Sequence, residues 1–240
     1  MMQRSMESEA VSGDEGVLVF DLDDTLYLER DFAFSGFRAA GDWYADRSGL
    51  HGLAERCEAL FNEGRRTKIF DEALCGLGMA ADEALVGELV AVYRGHKPAI
   101  ALAPDAERFF RQRRLGRRLA MITDGPSATQ RAKVQALGLD RMIDYIIYTD
   151  VWGPEFWKPH PRAFAAIEAW ADAPPSRIVY VADNPRKDFV TPRARGWWTI
   201  QVSRADRVHR GEAPEEAYGP HIVLSDLDAL EVRLAELQSG

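Results

Sequence analysis

The sequence predicts an α/β fold, a doubly wound parallel sheet into which a separate α-helical domain is inserted. Three observations carry this. Short apolar, β-branched runs recur along the chain, and several end in polar residues. Stretches with apolar residues at helical spacing lie between them, and such alternation gives parallel strands joined by right-handed crossovers. One long segment early in the chain breaks the alternation and keeps helical spacing throughout.

Residues 1–15 contain no sustained apolar run and are expected to form a flexible N-terminus. From Gly16 the run VLVFDLDDTLY reads as a buried strand that delivers carboxylates at its C-terminal end. The segment 27–103 is the helical domain. Its apolar residues fall at Leu53, Cys57, Leu60 and Phe61, at Ile69, Phe70, Ala73, Leu74 and Leu77, and at Leu85, Val86, Leu89, Val90 and Tyr93. KPAIALAP at 97–104 is the return linker. The core therefore comprises residues 16–26 and 104–240. Within it, strands are expected at 119–123, 145–149, 178–182, 198–202 and 222–224, with helices at 105–115, 127–137, 161–170 and 226–237.

A chain of 240 residues corresponds to one or two domains and buries a sizeable core without staples. Thirty Lys and Arg against 38 Asp and Glu give a net charge of −8, which argues against a general nucleic-acid or anionic-membrane binder. The arginines of RFFRQRRLGRR read as a solvated helix face rather than a nucleic-acid patch. Two cysteines are too few for a disulfide framework, so a reducing cytoplasm is the expected location, and Cys57 reads as a small buried hydrophobe. No run of eighteen apolar residues occurs, so no membrane span is expected.

In a doubly wound sheet, ligands bind outside the carboxyl ends of the strands. Four of those positions carry polar groups here: Asp21-Leu22-Asp23-Asp24-Thr25, then Thr123-Asp124-Gly125, then Lys158, then Asp183 and Asp188. Acids from two strands meeting at one point repel unless a cation lies between them. Hard oxygen ligands of this type select Mg²⁺, which binds through one or two carboxylates plus substrate phosphate. Asp24, Asp124 and Thr25 also suit caps and turns, whereas acids at the ends of apolar strands are costly unless something uses them.

The blocks FDLDDTLY, MITDG, KPHPRAF and VADNPRKDF, in this order, resemble the haloacid dehalogenase superfamily, in particular its phosphatase branch with a helical cap after the first strand. One departure is Ala182, where that family usually has Gly. The resemblance implies a Rossmann-like catalytic core, a cap over 27–103, and hydrolysis of a small-metabolite phosphate monoester through an aspartyl-phosphate. It makes Asp21 the nucleophile and Asp23 the acid that protonates the leaving alcohol and then activates water. Thr123, with the backbone N–H groups of Asp124 and Gly125, would hold phosphoryl oxygens, and Lys158 would neutralise Asp21 and the phosphoryl group. Asp21, the backbone carbonyl of Asp23, and Asp183 would hold the metal, with Asp188 orienting a metal-bound water or Lys158.

Dehalogenases of the superfamily lack the second acid, which Asp23 supplies here. A sugar phosphomutase keeps both acids and remains an alternative, as does a receiver-like or non-catalytic phosphate-binding signalling protein. The leaving group would be read by the cap, with Arg66 and Arg65 at a helix junction, and by the loop carrying Trp152 and Trp157. A sugar or polyol phosphate is the preferred substrate class and a nucleoside monophosphate the next. A monomer or homodimer without nucleic-acid or membrane partners is expected.

Overall fold

The computed structural model describes residues 16–112 and 117–239. Six strands form one fully parallel sheet in the order β3-β2-β1-β4-β5-β6. They are β1 (Val17–Phe20), β2 (Arg118–Thr123), β3 (Tyr145–Tyr148), β4 (Ile178–Ala182), β5 (Trp198–Val202) and β6 (Ile222–Leu224). The expected strands at 178–182, 198–202 and 222–224 are found with those bounds. The chain winds outward from β1 to β3, returns to β4 and winds the other way, so the strand order reverses between β1 and β4. Ligands in such sheets bind at that reversal.

Both faces of the sheet are covered, which is why its strands are apolar on both sides. Leu18 and Phe20 of β1 pack with Phe109 and Phe110 of α5 (Pro104–Gln112) and Val134 of α6 (Ser127–Ala136). Val17 and Val19 face Phe164 and Ile167 of α7 (Arg162–Ala171). A short α8 (Val190–Ala194) and a C-terminal α9 (Leu230–Ser239) complete the core layers. The end of the expected 105–115 helix and the whole expected N-terminal segment lie outside the described residues. Of the arginine cluster, Arg108 pairs with Asp228 and Arg111 with Glu107 on an exposed helix face, whereas Arg117 is largely buried against Glu231 and Arg118 donates to the Ala171 carbonyl; Arg113 and Arg114 lie outside the described residues.

Between β1 and α5 four helices are inserted: α1 (Glu29–Ser48), α2 (Leu53–Asn62), α3 (Ile69–Gly76) and α4 (Glu83–Gly95). They surround an apolar cluster of their own, in which Phe37, Leu53, Cys57, Leu60, Phe70 and Leu74 are buried. Burial pushes the Cys57 thiol up to about 12, so it is an inert hydrophobe. The insertion leaves and rejoins the core at one point, where the Ala103 N–H donates to the Leu26 carbonyl at 2.9 Å. No helix among the described residues is long and apolar enough to cross a membrane.

Candidate active site

The polar strand ends predicted from sequence converge at the carboxyl edge of β1, β2 and β4. Asp21 follows β1 directly, and its N–H donates to Val181 of β4 at 2.9 Å, extending the ladder by one residue. A tight turn then doubles the chain back, with Leu26 N–H on the Leu22 carbonyl at 3.0 Å. Asp24 turns the corner in left-handed backbone (φ 54°), a conformation that Asp tolerates better than most residues. Its carboxylate accepts from Glu29 N–H at the start of α1 and from Val208 N–H, so Asp24 takes the capping role its residue type suggests.

Lys158 is the hub. Its ammonium, with no side-chain exposure, lies 2.5 Å from Asp21, 2.9 Å from Asp188 and 3.0 Å from the Tyr180 hydroxyl. Burial alone would lower its pKa, but Asp188 and Asp21 outweigh that and hold it well above the usual lysine value. Burial pushes Asp21 up to about 6 against the pull of Lys158, with Asp188 adding to the rise.

Asp21, Asp183 and Asp188 bring carboxylate oxygens within 4.8 Å of one another. Asp183 Oδ2 is buried and meets no hydrogen-bond donor among the described residues. Burial, then Asp188 and Asp21, push the Asp183 pKa up to about 10. With Lys158 paired to Asp21 and Asp188 and with Asp183 Oδ2 left without a donor, the three buried carboxylates fit a hard divalent cation such as Mg²⁺, whose charge would relieve the repulsion. The side-chain cluster thus includes Asp188, which sequence reasoning set one step back from the metal.

The Asp23 carboxylate is held apart from that cluster. It accepts from Lys133 Nζ at 2.7 Å, from Gln130 Nε2 at 2.9 Å and from the Tyr27 hydroxyl. Burial would raise its pKa, but Lys133, Tyr27 and Gln130 outweigh burial and hold it below the ordinary carboxylate value. Neither Lys133 nor Gln130 was singled out in the sequence. Both sit on α6, whose N-terminus follows β2, three residues apart and therefore on one helix face. Gln130 also donates to Thr123 Oγ1 at 2.5 Å, linking the hydroxyl to Asp23.

Asp124 works through its side chain as well as its backbone position. Its carboxylate accepts from Thr149 Oγ1 at 2.8 Å, Lys158 N–H at 3.1 Å and Lys187 Nζ at 2.8 Å. Burial would raise its pKa, and Lys158 and Lys187 bring it down. Gly125 stands at φ 117°, where a side chain would be strained, so the turn into α6 requires glycine.

The four expected selectivity residues separate. Arg66 lines a cavity between the insertion and the loop after β5. Arg65 turns instead to Glu72 at 3.3 Å on the surface, because successive residues at a turn point apart. Trp152 packs on the α7 side of the sheet under the Arg162 guanidinium, 4.6 Å from its ring centroid. Neither Trp152 nor Trp157 lines that cavity.

Residues 16–193 match the family model for haloacid dehalogenase-like hydrolases. The chain belongs to that family. It is 33% identical to a phosphoserine phosphatase of Thermus thermophilus over 71% of this chain and 65% of that protein, so it spans just under two thirds of that relative's length. It is 31% identical to a glyceraldehyde 3-phosphate phosphatase of Pyrococcus abyssi over 77% of this chain and 79% of that one. Among solved structures, the HAD-hydrolase YfnB of Bacillus subtilis, bound to magnesium, shares the fold with a TM-score of 0.65 at 18% identity, covering 91% of this chain and 98% of that one. The haloacid dehalogenase-like hydrolase core accounts for the reversal-point site, with the helices α1–α4 inserted after its first strand.

Proposed function

We propose that the protein hydrolyses a phosphate monoester of a small metabolite through an aspartyl-phosphate on Asp21. The observation that carries this reading is the division of labour between two acids two residues apart. Asp21 faces Lys158 and the carboxylate cluster, while Asp23 is turned to Lys133, Gln130 and Tyr27. Carbon–halogen cleavage gives no use to the second acid and its dedicated partners. The names of the phosphoserine and glyceraldehyde 3-phosphate phosphatase relatives point the same way.

In this reading Asp21 Oδ attacks phosphorus and the bond to the leaving oxygen breaks, its electron pair staying on that oxygen, which takes a proton from Asp23. Lys133 keeps Asp23 ionised at rest, so that proton enters with the ester, whose second ionisation lies at about pH 6. Water then loses a proton to Asp23 and attacks phosphorus, and the bond to Asp21 breaks. Thr123 and the N–H groups of Asp124 and Gly125 hold the phosphoryl oxygens, and Lys158 offsets their charge. Asp21, Asp183 and Asp188, with the Asp23 carbonyl, would hold Mg²⁺. When bound, it supplies positive charge beside the nucleophile and the phosphoryl group.

We further propose that 27–103 acts as a cap over a core of 16–26 and 104–240, and that the protein is cytoplasmic. The test is phosphate release by the purified chain over a panel of small phosphate monoesters with Mg²⁺. Release that Asp21→Asn abolishes supports the reading, and no release from any ester overturns it. A mutase would instead return an isomeric phosphate ester with no free phosphate.

A further inference from the structure

The helical insertion and the loop after β5 line an open cavity of about 440 Å³, within the size range of ligand pockets. Each inserted helix supplies one aromatic wall residue: Phe37, Phe61, Phe70 and Tyr93 from α1 to α4. Val208 and His209 close the cavity from the loop after β5. Glu29 connects it to the catalytic strand ends, since its N–H rests on the Asp24 carboxylate at 2.9 Å and its side chain lies 3.8 Å from His209.

Arg66, Lys68 and Arg94 line the same cavity. Elsewhere on the insertion Arg38 pairs with Glu58, Arg47 with Glu88 and Arg65 with Glu72. The three cavity cations have no carboxylate within ion-pair distance among the described residues. Arg66 donates only to backbone carbonyls, at 2.6 and 2.7 Å, and lies 3.9 Å over the Phe61 ring. Lys68 holds left-handed backbone (φ 54°), which is strained for a residue with a long side chain and is the kind of strain that gathers at ligand sites. Glu29 and Asp71 line the cavity too, but neither lies within ion-pair distance of the three cations, so the cationic side over aromatic walls suits a ligand that brings its own anion next to a flat apolar body. A three-carbon leaving group would leave most of this volume unfilled.

We propose that the cavity receives the leaving group of the ester, and that this group combines a planar apolar body with a second anionic group read by Lys68 and Arg66. The inference rests on the phosphatase reading above and goes beyond it to a substrate class. The test uses the full chain with Mg²⁺ and three matched esters: phenyl phosphate, 4-carboxyphenyl phosphate and 4-(aminomethyl)phenyl phosphate, with phosphoserine and glyceraldehyde 3-phosphate alongside. The carboxylated ester should exceed phenyl phosphate in kcat/KM by roughly 10- to 100-fold, the range of one or two charge-assisted hydrogen bonds, and the aminomethyl ester should fall below it. Lys68→Glu should reverse the order of the two charged esters, and Lys68→Met should bring them together. Lys68 is exposed, so both variants should keep the wild-type thermal midpoint, which is measured in parallel. Equal kcat/KM for the three aryl esters, or a Lys68→Glu effect that is the same on all three, overturns the inference. So does turnover confined to phosphoserine or glyceraldehyde 3-phosphate, which leaves the phosphatase reading standing. Release from none of the five, with release from other monoesters of the wider panel, overturns the inference alone, and release from no ester of that panel overturns both.

Discussion

Replacing Lys133 by Met removes one charge from a buried pair while keeping most of the side chain's packing. Lys133 Nζ lies 2.7 Å from Asp23 Oδ1, with 6% of the lysine side chain and 23% of the aspartate side chain exposed. The ammonium also sits 4.4 Å from the Phe32 ring centroid. Breaking a fully buried pair from one side costs about 3–5 kcal/mol, because a charge is left uncompensated. Here Asp23 keeps Gln130 and Tyr27 and some exposure, so about 2–3 kcal/mol is expected. For a chain of this length that is a drop of roughly 4–12 °C in thermal midpoint. Asp23→Asn leaves the ammonium uncompensated instead and should also destabilise. The double variant strands neither charge, so its loss should be smaller than the sum of the two by at least about 1 kcal/mol. Denaturant unfolding of the four proteins measures this directly. Additivity within about 0.5 kcal/mol would refute the claim that Lys133 and Asp23 act as a pair.

Asp21→Asn should abolish both phosphate release and any acid-stable phosphoenzyme label, whereas Asp23→Asn should slow turnover by roughly 10²–10⁴-fold, read from kcat on the best ester. Chelation of divalent metal should stop turnover and Mg²⁺ should restore it; full activity in excess chelator would contradict the metal assignment. Without metal, Asp183→Asn should raise the thermal midpoint by relieving the carboxylate cluster, and it should remove any stabilisation that Mg²⁺ gives the wild type, both read by thermal unfolding. Arg204 donates to both Asp105 oxygens at 2.8 Å and to the Thr25 carbonyl, so Arg204→Ala should cost about 3–5 kcal/mol near neutral pH. Burial alone would raise the Asp105 pKa, but Arg204 and the Leu227 N–H hold it below its unfolded value. That stability is therefore present above the unfolded carboxylate pKa and is lost as pH falls through the folded one, so the gap between wild type and Arg204→Ala should narrow below about pH 4.

Most of the sheet was legible because parallel strands buried on both faces must be continuous apolar runs, and few other segments of this chain are. The longest helix, α1, was not delimited in advance. Its buried face carries Ala33, Ser35, Gly36 and Ala40 among the aromatics, so its apolar periodicity is weak. The acids at the strand ends were visible because nothing structural accounts for them. Lys133 was not, since within SATQRAKVQA it reads as an ordinary surface charge, and only the docking of α6 against the turn after β1 aims it at Asp23. Arg65 and Arg66 are equivalent in sequence; one meets Glu72 on the surface and the other enters the cavity.

The single hydrogen bond from Ala103 to Leu26 brings the two ends of the insertion together beside the nucleophile. Everything from α1 to α4 is thus an insertion whose two chain ends meet at one place, and it also rests on the core elsewhere, as where Thr129 Oγ1 donates to the Arg94 carbonyl. On the proposed reading, the groups that break the ester and the groups that choose it lie in different stretches of the chain. If the insertion reads the leaving group as proposed, substitutions there change the clientele while the sheet and its acids keep their register. On that reading Leu26 and Ala103 are the points at which a different insertion would be joined to the same sheet.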